Sequence, residues 1–170
     1  MQIRAVLLTA LALLSAGGLT ARADDKKDIK AVYVKVVNAM KAKDLKAVFA
    51  TGTQDFSYTE NGKTMSGDEL SNMMQQQFQM IKGTPKVKMN VVSCKITGAM
   101  AEVVSTDASE MMISGEDGKT HKLVSTGKSK DELVKTDKGW LMKSVTILSS
   151  AMTLDGKPYD PSKAMAAPKQ

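Results

Sequence analysis

Arginine is almost missing from this chain: of 170 residues only Arg4 and Arg22 carry a guanidinium, and both lie in the first 23. Beyond residue 23 the charge is 22 Lys against 18 acids, a net +4 with no Arg at all. Bidentate recognition of phosphates, carboxylates and guanine edges is the work of the Arg fork. Its absence, with lysines such as Lys35, Lys63, Lys95 and Lys143 scattered rather than clustered, argues against a nucleic-acid partner and for a solvated, solubilising surface. Cysteine is reduced to Cys94, so no internal disulfide can form and stability must come from packing. Cys94 sits in the apolar-rich stretch 91–96, where a small buried hydrophobe is the simplest reading. Long apolar runs are lacking too. The run from Ala5 to Leu14 spans only ten residues, against the roughly 20 that a membrane-spanning helix requires.

That run has another use. Arg4 before it and Ala21-Arg22-Ala23 after it make a positively charged start, an apolar centre and a small-x-small cleavage site, the layout of a signal peptide over residues 1–23. The expected mature chain is then a secreted or periplasmic protein without a stable membrane anchor: one domain over 24–152 and a Pro- and Lys-bearing, disordered tail over 153–170.

Ile29, Val32, Tyr33, Val36, Val37 and Met40 recur at three- and four-residue spacing and predict an amphipathic helix over 25–43, with Asp24 or Asp25 at its start. Asp44 predicts the cap of a second, short helix carrying Leu45, Val48 and Phe49. Glu60-Asn61-Gly62-Lys63 predicts a tight hairpin after a strand over 55–59. Ser66 and Glu69 form a capping box for a third helix whose apolar face is Leu70, Met73, Met74, Phe78 and Ile81 and which Gly83-Thr84-Pro85 should stop. From Lys86 to about Met152 the apolar period becomes two, broken by turn signals near 97, 117 and 138, and predicts four long antiparallel strands. Strands of that length must bend, and Val91-Val92, where the apolar phase slips by one, and Gly127 are the expected bending points.

This order of elements resembles the nuclear transport factor 2-like superfamily, nearest its SnoaL-like and unknown-function branch. The stretch 28–46 with Lys43-Asp44 is similar to the family's opening helix and link, and Asp55-Phe56-Ser57-Tyr58 with Gly62 to its first strand and turn. Ile96-Thr97-Gly98-Ala99-Met100-Ala101 and Gly139-Trp140-Leu141-Met142 resemble its central hairpin and last strand, so the similarity covers most of 26–150. It implies an α+β, cone-shaped fold: three N-terminal helices packed on a strongly curved antiparallel sheet. The matching motifs are structural, so the resemblance implies a hollow and no particular reaction.

The candidates for lining that hollow are Tyr33, Tyr58, Met74 and Phe78, with Asp107, His121 and Asp131 as the inward-phased polar groups. Asp55 is a further acid that could move a proton. His121 and Asp131 lie ten residues apart on one strand, a separation of about 33 Å that forbids a direct dyad. His121 also falls close to a turn, where a solvated role is the simpler one. The hairpin at 116–119 can close in two registers; the one that places Met111 opposite Leu123 keeps both apolar phases on one face. Twelve methionines remain after residue 23; they are spread as core filler or greasy lining rather than gathered as copper ligands, and no metal or other cofactor is expected. The function this favours is the binding of a small apolar ligand, or an interaction role such as a homodimer through the sheet. The alternative is a small lyase or isomerase that transfers a proton in the hollow.

Overall fold

A computed structural model describes residues 23–115 and 117–160. The expected signal peptide, apart from Ala23, and the last ten residues of the expected tail lie outside the described residues. Among the described residues no helix is long and apolar enough to cross a membrane.

The chain forms α1 (Ala23–Ala42), α2 (Leu45–Phe49), β1 (Gly52–Glu60), β2 (Lys63–Ser66), α3 (Gly67–Met80), β3 (Ile81–Thr97), β4 (Met100–Ser114), β5 (Thr120–Thr136), β6 (Gly139–Leu154) and β7 (Lys157–Pro158). The sheet order is β2-β1-β6-β5-β4-β3, with β7 added against β6. β3 to β6 form the expected antiparallel meander. β1, however, pairs with β6 in parallel, Tyr58 opposite Val145, so the sheet is mixed rather than purely antiparallel. The sheet is curved and unclosed, and with the helices it makes an α+β fold.

Local chemistry explains most boundaries. Asp44 Oδ1 accepts the Ala47 amide at 2.9 Å and caps α2. The Ser66–Glu69 capping box is complete: the Glu69 amide donates to Ser66 Oγ, and the Ser66 amide donates to Glu69 Oε2 at 2.8 Å. Asn61 and Gly62 both take positive φ, the backbone that a two-residue hairpin between β1 and β2 needs. The third helix stops earlier than expected. Ile81 is extended, buried and already part of β3, so Gly83, at φ +66°, makes an irregularity near the start of that strand instead of ending the helix.

Extra residues enter the ladders along β3 and β6. Val92 is the extra residue on β3, as expected, and is exposed. On β6 the extra residues are Leu148 and Lys143, opposite β5; Gly127 itself stays in register between Asp107 and Ser150. The expected tail also begins later than residue 152: Thr153 and Leu154 belong to β6, Lys157 and Pro158 pair with them, and the Tyr159 amide donates to the Met152 carbonyl.

The core lies between α1 and the concave face, toward the β5–β6 turn. Ile29, Val32 and Tyr33 of α1 meet Ala101, Val103, Leu133, Trp140 and Met142. Full burial of side chains such as Ile29, Val103 and Leu133 stabilises by about 1.5–3 kcal/mol each. Asp25, itself buried, pins the start of α1 to this end: its Oδ1 accepts from Trp140 Nε1 at 3.1 Å and from Lys135 Nζ at 2.5 Å. Cys94, expected as a small buried hydrophobe, is partly buried against the same core, and burial pushes its thiol up.

Candidate functional site

Away from that core the curved sheet, the C-terminal half of α1, α2 and α3 leave a cavity of about 650 Å³. Its wall is greasy. Phe49, Phe56 and Phe78 are all the phenylalanines of the chain, and Phe49 and Phe56 meet edge to face at 6.4 Å. Eight methionines line it, including Met74 on α3, Met89 and Met111 on the strands, and Met40 on α1. A wall of unbranched thioethers adapts to varied apolar shapes.

The polar groups lie along the inward phase of β4 and β5. Asp131 is the deepest, with 1% of its surface exposed. Its Oδ2 accepts from Tyr33 Oη at 2.6 Å and from Ser105 Oγ at 2.9 Å, and Ser105 Oγ lies 2.9 Å from Ser129 Oγ. Its Oδ1 is buried and makes no hydrogen bond among the described residues. Burial pushes the Asp131 carboxyl above its ordinary range, against the opposing pull of the surrounding Tyr33, Ser129 and Ser105 hydroxyls. The Tyr33 phenol is pushed far up by its own burial and then by the adjoining carboxylate.

Asp107 lies nearer the opening, half-buried, and also lines the cavity. Desolvation raises its carboxyl, and the charge of Asp131 adds to the shift. Gly127 lies across the ladder, and a Cβ there would stand so close to Asp107 Oδ1 that the carboxylate would have to swing aside. Tyr58, in the inward phase of β1, donates to Glu60 Oε2 at 3.2 Å, and burial, Glu60 and Asp107 together raise its phenol.

Of the residues singled out in the sequence, Tyr58, Met74, Phe78, Asp107 and Asp131 line this cavity. Tyr33 stands behind it, its ring in the core and its hydroxyl on Asp131. His121 does not line it. The hairpin has the expected register, Met111 opposite Leu123 and Ile113 opposite His121, yet the imidazole turns to Asp155 Oδ2 at 2.6 Å through Nδ1 and to Asp117 Oδ1 at 3.0 Å through Nε2. Those two acids raise its pKa and clamp the turn to the strand end, a structural duty. Asp55 is exposed and faces away from the cavity wall. Sequence reasoning missed Glu60, which it took for a turn residue although it continues the Phe56–Tyr58 alternation, and it missed Tyr159, which reaches the cavity from the expected tail. Among the described residues no group of three His, Cys, Asp or Glu side chains could hold a metal ion.

A family model described as SnoaL-like domain matches residues 21–146. The chain belongs to the SnoaL-like domain family. The SnoaL-like fold is shared with solved structures at low identity. A ketosteroid isomerase-like protein from Erwinia carotovora atroseptica SCRI1043 is 19% identical with TM-score 0.58, over 75% of this chain and 99% of that one. A candidate scytalone dehydratase from Novosphingobium aromaticivorans DSM 12444 is 14% identical with TM-score 0.66, over 76% of this chain and 87% of that one. A type 2 hexachlorocyclohexane dehydrochlorinase is 9% identical with TM-score 0.59, over 81% and 90%. At such identities the likeness is one of fold. No curated protein matches this SnoaL-like chain.

Proposed function

We propose that this SnoaL-like domain is an exported binding protein that holds one small, largely apolar molecule in its cavity. The observation that carries the reading is the wall itself: about 650 Å³ lined by every phenylalanine of the chain and eight methionines, with a few convergent polar groups at its base. The signal-peptide reading of residues 1–23 would place that activity outside the cytoplasm. The partner is a small molecule rather than nucleic acid, because the expected mature chain has no Arg and no lysine stripe.

Of the tyrosines at or behind the cavity, the two that the sequence singled out are already committed. Tyr33 donates to Asp131 and Tyr58 to Glu60, so neither hydroxyl is free to donate to a substrate oxygen, and this favours binding over turnover. The test is mass spectrometry of small molecules extracted from protein purified from its native host, followed by calorimetric titration of whatever is recovered. Reproducible stoichiometric recovery supports the reading; apo protein that also binds no apolar compound in titration sinks it.

A second reading rests on one specific observation. A carboxyl raised by burial and 2.6 Å from a tyrosine hydroxyl, Asp131 with Tyr33, is a pairing that proton transfer could use, and structural neighbours bear isomerase-like and dehydratase names. Deuterium exchange at the acidic carbon of a bound enolisable ketone checks it: exchange no faster than in buffer removes the enzyme.

A further inference from the structure

Acids and bases are divided unevenly between the inside and the outside of this protein. The cavity wall carries Glu60, Asp107 and Asp131 and, among the described residues, no Lys, Arg or His. This is not a scarcity of bases, since 22 lysines follow residue 23. Burial of Asp107 and Asp131 on this wall without a counter-charge disfavours their ionisation.

Asp131 supplies the second, independent observation. It is among the residues lining the cavity and has 99% of its surface covered; its Oδ1 is without a hydrogen-bond partner among the described residues, while Oδ2 already takes Tyr33 and Ser105. What is missing at Oδ1 is a donor, preferably a charged one. The lining of the cavity agrees: aromatic rings such as Phe56, Phe78 and Tyr58, and polarizable methionine sulfurs, can stabilise a positive charge. They do not suit a bare metal ion, which calls for a shell of oxygen ligands.

We propose that the cavity selects an organic cation, a protonated amine on an apolar body, with its N–H donating to Asp131, the Asp107 carboxylate four residues along the ladder adding to the field, and its body against the phenylalanines and methionines. This rests on the reading of the cavity as a small-molecule site and adds the charge of the guest. Glu60, held by the hydroxyls of Tyr58 and Ser150, contributes field rather than a contact. Gly127 leaves the space that the Asp107 carboxylate occupies.

The experiment is calorimetric titration of the intact mature protein at neutral pH with three compounds that share one body: 4-phenylbutylamine, 4-phenylbutanol and 4-phenylbutanoate. The amine is expected to bind about tenfold or more tightly than the alcohol, as one charge-assisted hydrogen bond in a desolvated site implies, and the carboxylate more weakly than either. In Asp131→Asn and, separately, in the milder Asp107→Asn, the amine should lose its advantage over the alcohol, whose own binding reports whether the cavity is intact. Alcohol binding as tight as the amine overturns the cation inference and leaves the small-molecule reading standing. No binding by any of the three overturns both. The ligand comparison on the unaltered protein decides the matter even where a variant does not fold.

Discussion

The two faces of β4 and β5 carry the same kinds of residue and treat them in opposite ways. On the outer face Glu102 pairs with Lys130 at 2.7 Å, and Glu110 takes Lys86 and Lys122, each at 2.9 Å. These lysine partners hold both carboxyls below their usual range, Glu110 down to about 2. On the inner face Asp131 takes the Tyr33 and Ser105 hydroxyls, Asp107 lines the same cavity, and burial pushes both carboxyls upward. Only an odd number of residues separates the two populations on one strand, because successive side chains of a strand face opposite ways. The lesson is that a carboxylate's setting here is decided by which face of the sheet it occupies: the outer acids are paired with lysine in solvent, and the inner ones are desolvated with no lysine beside them among the described residues.

Four measurements test that contrast, in order of expected effect. Leu133→Ala, at a site with 0% exposure beside Asp131, should cost about 2–5 kcal/mol in denaturant unfolding; Glu132→Ala, one residue along and outward, should stay within the scatter of surface changes. Equal effects would mean the two faces are not distinct.

Gly127→Ala places a methyl 2.4 Å from Asp107 Oδ1, and overpacking of this kind costs about 1–3 kcal/mol. The double variant with Asp107→Ala should recover most of that loss; no recovery would show that the glycine is needed for the backbone alone.

Asp131→Asn should change the pH profile more than the fold. A carboxyl raised above its ordinary 3.8 binds its proton more tightly in the folded chain, so stability is greatest below that value and falls as pH rises through the raised pKa. The asparagine variant lacks this decline: its melting temperature should exceed that of the unaltered protein at neutral pH, and the two should converge in acid. A constant gap across the range would contradict the raised carboxyl.

The smallest effect is Glu110→Gln. A carboxyl lowered from 4.5 to about 2 contributes stability above 4.5 that is lost as pH falls through about 2. The variant should therefore differ slightly at neutral pH, less so in added salt, and not at all in strong acid. A large, salt-insensitive loss would mean that the outer pairs hold the sheet together.

Periodicity and punctuation determined the elements: the 3.6-residue stripe of α1, the Ser66–Glu69 box of α3, the Asn61-Gly62 turn and the alternation that sent Asp107 and Asp131 inward are all local chemistry. Tertiary structure alone decided the parallel pairing of β1 with β6, the bond between Tyr33 and Asp131 across 98 positions, the turning of His121 toward Asp155, and the return of Tyr159 to the cavity. Each of these joins residues distant in sequence, and such contacts depend on how the curved sheet closes over α1. Local spacing can say which way a side chain points; what it meets there is set by packing.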